Sequence, residues 1–449
     1  MKGGIKEFLE KDRPEGYYED LTKQLDKLNS RLHIFASINK DIDSGFPFSV
    51  KDNICVSGIE SAASSRILKG YMPPFDATAV ERLRGKDFGF LGKTKMDEFG
   101  FGTFGLNCDG HPLNPFDEKY ITGGSSAGAA AAASVIKYHV SIAESTGGSI
   151  SCPAAFCGVV GFTPTYGVIS RYGIIDYASS LDKIGIMSRN SSDIRYVLDR
   201  IKGPDRYDTT CVDSKMGSEK AKKLVVIEQL LKKVDPEILS SFDKLLSKLQ
   251  NMGYLVEHKS IPFIDKAIPA YYIISMAEAS TNLARYTGFK YGLKVPDFAK
   301  GYNEFFTDAR DSFSLEAKRR IVLGTFVRSA SVKSRYYEKA LRLRHMLIES
   351  LDAILKDGFM ISPTMPIKTP KVLEAEKLGP VEAYSMDSIT VPPNLAGLPH
   401  VSFPYDYLKG MPLGAQIVTK HFNDYALLDF VGKWEEQFDY KFKYDVGAL

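Results

Sequence analysis

The sequence predicts an α/β fold, and three observations predict it. In the second half, segments with the two periodicities alternate. Residues 224–227 are a short apolar run of strand type, 236–252 place Leu239, Phe242, Leu246 and Leu249 on one helical face, and 254–258 read as a further strand. Such alternation builds a layered sheet rather than a separate all-β unit. In the first half, residues 127–136 are alanine-rich with no helix breaker after Gly128, and the apolar stretch 139–143 that follows alternates as a strand does. Lastly, 449 residues with 44% hydrophobic and 25% charged side chains have the profile of a globular chain with a large core. Size alone allows two or three domains, but no linker interrupts the alternation, so one domain over 1–449 is expected.

Taken in order, residues 1–45 are polar with modest helical patterning, Leu21, Leu25 and Leu28 sharing one face, and read as a peripheral helical segment. The core begins at 46–50, where an apolar run leads to Lys51 and then to Asp52-Asn53, a strand end entering a turn. Residues 77–86 read as a helix and 88–91 as a strand, with Gly89-Phe90-Leu91-Gly92 ending it in a turn. Gly92-Lys93-Thr94 invites a phosphate-loop reading, but that motif needs glycine at position 87, which is Asp87. Between 152 and 188 glycines and prolines are dense and apolar runs short. Residues 203–222, with Gly203-Pro204, read as a surface crossing.

Residues 330–356 read as one long helix. It has basic residues Lys333, Arg335, Lys339, Arg342 and Arg344 and a packing face of Leu343, Leu347, Leu351 and Leu355. The basic side is read as solvated rather than as an RNA contact. Residues 359–363 are a strand, 395–404 return to the core, and 425–438 close the chain as an amphipathic helix.

Several classes of function are disfavoured. A net charge of +3 and a pI near 8.3 do not provide a broad basic face for nucleic acid. The five cysteines form no C-x-x-C pair, so neither a zinc site nor a disulfide framework is indicated, and no metal is expected. The first residues are too charged for a signal peptide, and the longest nearly apolar run, at 127–136, is too short for a bilayer. A cytoplasmic chain with no membrane contact is expected.

The residues that carry chemistry lie between Thr122 and Ser151. Two glycine–serine turns, Gly123-Gly124-Ser125-Ser126 and Gly147-Gly148-Ser149, flank the helix and strand predicted there. One such turn alone is ordinarily a loop. Two of them at the ends of one loop–helix–strand–loop unit can meet, and their small residues let backbone N–H groups approach a ligand or an oxyanion. A serine that attacks an amide needs a base. None of the seven histidines lies in a catalytic motif, whereas a lysine serves as base where its charged form is disfavoured, and Lys51 is available. Gly124-Ser125-Ser126-Ala127-Gly128 also fits G-x-S-x-G, which would make Ser126 the nucleophile, but that reading leaves Lys51 and Ser149 unexplained.

Lys51, Ser125 and Ser149 resemble the serine–serine–lysine pattern of the amidase signature family, and the resemblance runs from about 46 to 185. It implies the amidase-signature fold, a large mixed central β-sheet covered by helices on both faces. It also implies a cis peptide bond at Gly124–Ser125, with Ser125 passing a proton between Ser149 and Lys51. Ser149 is the expected nucleophile because Thr146, Gly147, Gly148 and Ser149 offer consecutive backbone donors for an oxyanion hole. The sequence departs from the family's common pattern at Ser145 and Ser151, where an aspartate and an arginine are usual.

Within the family, the stretches around Tyr271-Tyr272, 318–324 and 387–399 are similar to the glutaminase (A) subunits of glutamyl- and aspartyl-tRNA amidotransferases. That resemblance implies glutamine as substrate, with Arg320 on its carboxylate, Asp387 on its α-amino group and Tyr271 lining the pocket. An arginine fork suits a carboxylate, and an acid suits an ammonium. It further implies B and C subunits as partners, ATP and magnesium in the B subunit with no cofactor in this chain, and mischarged tRNA engaged mainly through B. A stand-alone amidase and a non-catalytic scaffold are the competing readings.

Overall fold

The computed structural model describes residues 4–85, 87–213, 215–293, 301–356 and 358–449. Its centre is one mixed sheet of eleven strands. In chain order the strands are β1 (Phe35–Ile38), β2 (Phe46–Lys51), β3 (Phe88–Thr94), β4 (Val140–Ser145), β5 (Val160–Thr163) and β6 (Lys183–Ser188). The second half adds β7 (Lys223–Ile227), β8 (Leu255–Lys259), β9 (Phe359–Pro363), β10 (His400–Leu408) and β11 (Met411–Val418). Their order across the sheet is β1-β3-β2-β4-β6-β5-β10-β11-β9-β7-β8. Strands β3, β2 and β4 run parallel at one side, β9, β7 and β8 run parallel at the other, and antiparallel pairs join them.

Helices cover the sheet, so its central strands are buried on both faces. Every residue of β2, β4 and β6 is buried. The helix Ala127–Val135 is buried along its whole length, and alanine lets it lie close against β2, β4 and β6. The helix Pro236–Asn251 starts where the Asp235 side chain accepts from Glu237 N, and it turns Ile238, Phe242, Leu245 and Leu249 to the core. Leu239, expected on that face, is only partly buried, because the stripe is centred one residue earlier.

Five expectations need correction. The first 45 residues are not only helical: after the helices Ile5–Glu10 and Tyr17–Leu32, β1 adds an edge strand antiparallel to β3. The helix expected over 77–86 shrinks to one turn, Thr78–Glu81, before Gly85 takes positive φ; Lys86 lies outside the described residues. Strand β3 does not turn at Gly92 but continues to Thr94. The register against β2 slips there, and a Cβ on Gly92 would lie 2.3 Å from Ser37 O, so glycine lets β1 approach. The long basic helix starts at Tyr337 rather than 330, because residues 329–336, rich in serine, form the turn after the helix Leu315–Arg328. Arg344 is not a solvated residue: it donates to Leu395 O at 2.8 Å and to Ser180 O at 2.9 Å.

Among the described residues no helix is long and apolar enough to cross a membrane, and no group of three or more His, Cys, Asp or Glu is arranged to hold a metal ion.

Candidate active site

Parallel pairing of β2 and β4 brings their C-terminal ends to the same end of the sheet. Lys51 closes β2, and the loop 146–149 follows β4. The helix Ala127–Val135 runs back against β4, so the loop before it, 122–126, reaches that same end. Three segments far apart in sequence thus converge for topological reasons.

Lys51 Nζ lies 2.8 Å from Ser125 Oγ, 2.8 Å from Glu144 O and 2.9 Å from Glu144 Oε2. Lys51 and Ser125 are fully buried, while Ser149 retains 7% exposure, so of the three it is Ser149 that meets the outside. The Gly124–Ser125 peptide bond is cis. Ser126 N donates to Ser149 O at 3.2 Å and joins the two glycine–serine loops through the backbone. Ser126 Oγ is turned inward, donating to Glu144 O at 3.1 Å in a fully buried position, which does not suit a nucleophile.

The loop 146–149 is held from several sides. Thr146 O accepts from Asn394 Nδ2, and Ser145 Oγ donates to Gly147 O at 3.1 Å. Among the described residues, buried Ser151 Oγ has no hydrogen-bond partner. Glycine at 148 is required by packing, since a Cβ there would lie 2.3 Å from Thr390 Oγ1 and 3.1 Å from Asp387 Oδ1. A Cβ on Gly147 would lie 3.0 Å from the Tyr271 hydroxyl. Tyr271 and Asp387 therefore sit directly against this loop.

Asp387 is buried, and its Oδ2 accepts from Thr103 Oγ1 at 2.9 Å and Tyr272 OH at 3.0 Å. Burial pushes its carboxyl up to about 6, although the two hydroxyls and Arg320 oppose the rise. Burial likewise pushes the Tyr272 phenol well above its ordinary range, so it stays a neutral donor. Arg320 is one ring further out. Its guanidinium carbon is 5.4 Å from the Tyr272 ring centre and is also faced by Phe101, Tyr177 and Tyr384. Its Nε donates to Glu316 Oε1 at 2.8 Å, and the same guanidinium donates to Tyr177 OH. An open cleft of about 440 Å³, lined by Arg320, Thr103, Asp97 and Tyr384, leads from the surface to this region. Lys51, Ser125 and Ser149 lie beyond its lining, as they would if the cleft were an entrance.

A buried lysine touching a serine hydroxyl, with a second serine on a glycine loop beside it, is the equipment of amide hydrolysis. The Amidase family model matches residues 17–428. The chain belongs to the amidase family. Among its relatives in this family, the glutamyl-tRNA(Gln) amidotransferase A subunit of Symbiobacterium thermophilum is 41% identical over 406 residues, covering 88% of this chain and 83% of the relative. The protein of the same name from Sulfolobus acidocaldarius is 37% identical over 445 residues, covering 93% of both chains. The crystal structure of the Thermotoga maritima protein of that name superposes with a TM-score of 0.84 at 30% identity, covering 100% of this chain and 98% of that one.

Several groups around Lys51 and the two serine loops escape a motif-based reading. Glu144 is the chief one, together with Asn53, whose Nδ2 donates to Glu144 Oε2 at 3.1 Å. Thr103, Tyr177, Tyr272, Thr390 and Asn394 likewise shape the site. A signal for Glu144 does exist: it is a carboxylate in a strand whose neighbours Val140, Ile142 and Ala143 are core residues, and a buried charge needs a partner.

Proposed function

We propose that this chain is the glutaminase subunit of a tRNA-dependent amidotransferase, with Ser149, Ser125 and Lys51 as its catalytic residues. The observation that carries the chemistry is the 2.8 Å contact of the Lys51 amine with Ser125 Oγ, beside a glycine loop that presents Ser149. Ser149 Oγ attacks the side-chain carboxamide carbon of glutamine, and its proton passes through Ser125 to Lys51. Backbone N–H groups of the turn Thr146, Gly147, Gly148 and Ser149 meet the oxyanion that develops. The proton returns to the leaving nitrogen, ammonia departs, and water hydrolyses the acyl-Ser149 ester to glutamate.

Asp387 and Arg320 support glutamine as the substrate. Asp387 stands beside Gly148 with a carboxylate to receive the α-ammonium, and Arg320 offers remaining guanidinium N–H groups toward the cleft for the α-carboxylate. Tyr271 packs against Gly147 and walls the pocket. The placement of Asp387 favours this reading over a stand-alone amidase for uncharged amides.

The names of the similar proteins and the family resemblance support assembly with B and C subunits. There the ammonia would serve the B subunit, which uses ATP and magnesium to activate glutamate or aspartate on mischarged tRNA. The test is glutamate release from glutamine by the chain alone and with its partner subunits. Release that Ser149→Ala abolishes and that partners increase supports the proposal. Turnover of simple amides with none of glutamine refutes the substrate.

A further inference from the structure

Glu144 occupies an unusual position for an acid: it is buried at the end of β4 and presents two oxygens to one amine. Lys51 Nζ has three partners within 2.9 Å, and two of them are the main-chain and side-chain oxygens of this single residue. A neutral amine has two N–H bonds and one lone pair. If the carboxylate is ionised, both Glu144 oxygens only accept, so they take the two N–H bonds. The lone pair is then left for Ser125 Oγ, the direction in which a base must point.

The contacts of the far oxygen of Glu144 argue for an ionised carboxylate. Thr146 Oγ1 lies 2.8 Å from Glu144 Oε1 and also 2.8 Å from Asp182 Oδ1. A hydroxyl has one proton to donate, so both contacts are full hydrogen bonds only when one of the two carboxyls carries a proton of its own and donates it to Thr146. Glu144 has Lys51 and Asn53 Nδ2 donating to it. Asp182 has backbone N–H groups of Tyr177 and Ala178, both 2.9 Å from Oδ2, which leave Oδ1 for the proton. Burial first, and the Glu144 charge second, also push the Asp182 carboxyl well above its usual range. The other charges facing this group are Asp176, which is drawn to Arg285 at 3.5 Å, and Asp97, a buried acid within electrostatic range of Lys51. The Gly100 backbone closes the site, since a Cβ there would lie 3.6 Å from Ser125 Oγ and 3.7 Å from Glu144 Oε2.

We propose that Glu144 is a positioning residue for the base: ionised, it fixes both Lys51 N–H bonds so that the lone pair addresses Ser125, while neutral Asp182, bonded through Thr146, completes its shell without adding a second charge. The proposal rests on the Ser149–Ser125–Lys51 reading and deepens it. When Lys51 accepts the proton from Ser125, the ammonium forms 2.9 Å from a carboxylate, and the pair becomes neutral overall. That proton remains on Nζ until it returns through Ser125 to the leaving nitrogen.

The test is the pH dependence of kcat for glutamate release at saturating glutamine, using the full chain with its partner subunits. Wild type, Glu144→Gln and Glu144→Asp are compared, and thermal melting shows which variants fold. In Glu144→Gln the rise of kcat with pH is expected to move at least about one unit toward lower pH, because the anion beside the amine is gone. Its plateau is expected to fall roughly 10- to 100-fold with the lone pair no longer held in line. Glu144→Asp keeps the buried charge balance but withdraws the carboxylate by one methylene, so it moves the profile the same way by less. A lowered plateau with an unmoved profile, in whichever variant folds, overturns the proposal and leaves Glu144 only a support for the loop. Ser149→Ala and Lys51→Met are run alongside. Turnover surviving in either refutes the catalytic assignment itself; loss in both with an unmoved Glu144 profile refutes the positioning role alone.

Discussion

Replacing Asp387 by asparagine tests the substrate assignment most directly. The carboxylate accepts from Thr103 Oγ1 and Tyr272 OH at one oxygen, and its other oxygen faces the Gly148 loop. An asparagine keeps the shape, but Thr103 and Tyr272 are donors, so they hold the amide oxygen and turn the NH₂ group toward the place of the substrate ammonium. The loss is that of a charge-assisted hydrogen bond plus a donor facing a donor, about 2–4 kcal/mol. At about 1.4 kcal/mol per factor of ten, kcat/KM for glutamine falls roughly 30- to 1000-fold. The assay is glutamate release across glutamine concentrations, repeated for glutaric acid monoamide, which lacks the α-amino group. Wild type is expected to prefer glutamine strongly and the variant to lose most of that preference. The melting temperature is expected not to fall, because a buried ionised carboxylate gives way to a neutral amide that keeps both hydroxyl partners. Equal losses for the two substrates would refute the assignment of Asp387 to the ammonium. The pH dependence supplies a second check. The Asp387 carboxyl, raised to about 6, is ionised above that pH and protonated below it. Hence kcat/KM of the wild type falls as pH drops through about 6, and this limb is absent from the asparagine variant.

Three further outcomes are expected. Lys51→Met leaves the buried Glu144 carboxylate without its amine donor and is expected to cost about 1–3 kcal/mol in denaturant unfolding, whereas the double change Lys51→Met/Glu144→Leu recovers most of that loss; additive losses would show that the pair is not coupled. Gly148→Ala must move Thr390 or the loop away from a 2.3 Å approach, so kcat is expected to fall about 100-fold with the protein still folded, and unchanged turnover would contradict the packing described. Arg344→Ala removes a partly buried guanidinium from Leu395 O and Ser180 and is expected to lower stability by about 1–3 kcal/mol, while Arg342→Ala, on the exposed side, changes melting little.

What could be read from the sequence follows the range of the forces involved. Strands β7 and β9 and the helix Pro236–Asn251 are legible because their apolar pattern and their capping residue are local. Strands β5 and β6 are not, because they lie in a stretch dense in glycine and proline and are buried on both faces, which erases the alternation. Arg344 escapes for a related reason. A basic residue on an amphipathic helix reads as solvated until tertiary structure supplies the carbonyls of Leu395 and Ser180 that it satisfies.

The site divides along the same line. The two loops that carry Ser125 and Ser149 are legible because close backbone approach needs glycine, and glycine is visible in a sequence. Glu144 is 93 positions from Lys51, and its meaning appears only when parallel pairing sets Val50 beside Ile142 and so brings both side chains to one end of the sheet. The proton on Asp182 has the same origin: it follows from one hydroxyl lying between two carboxyls, a relation that no spacing of residues encodes. Motifs point to the groups proposed to react. The direction in which the base points, and the charge state of the acids around it, are properties of strand register.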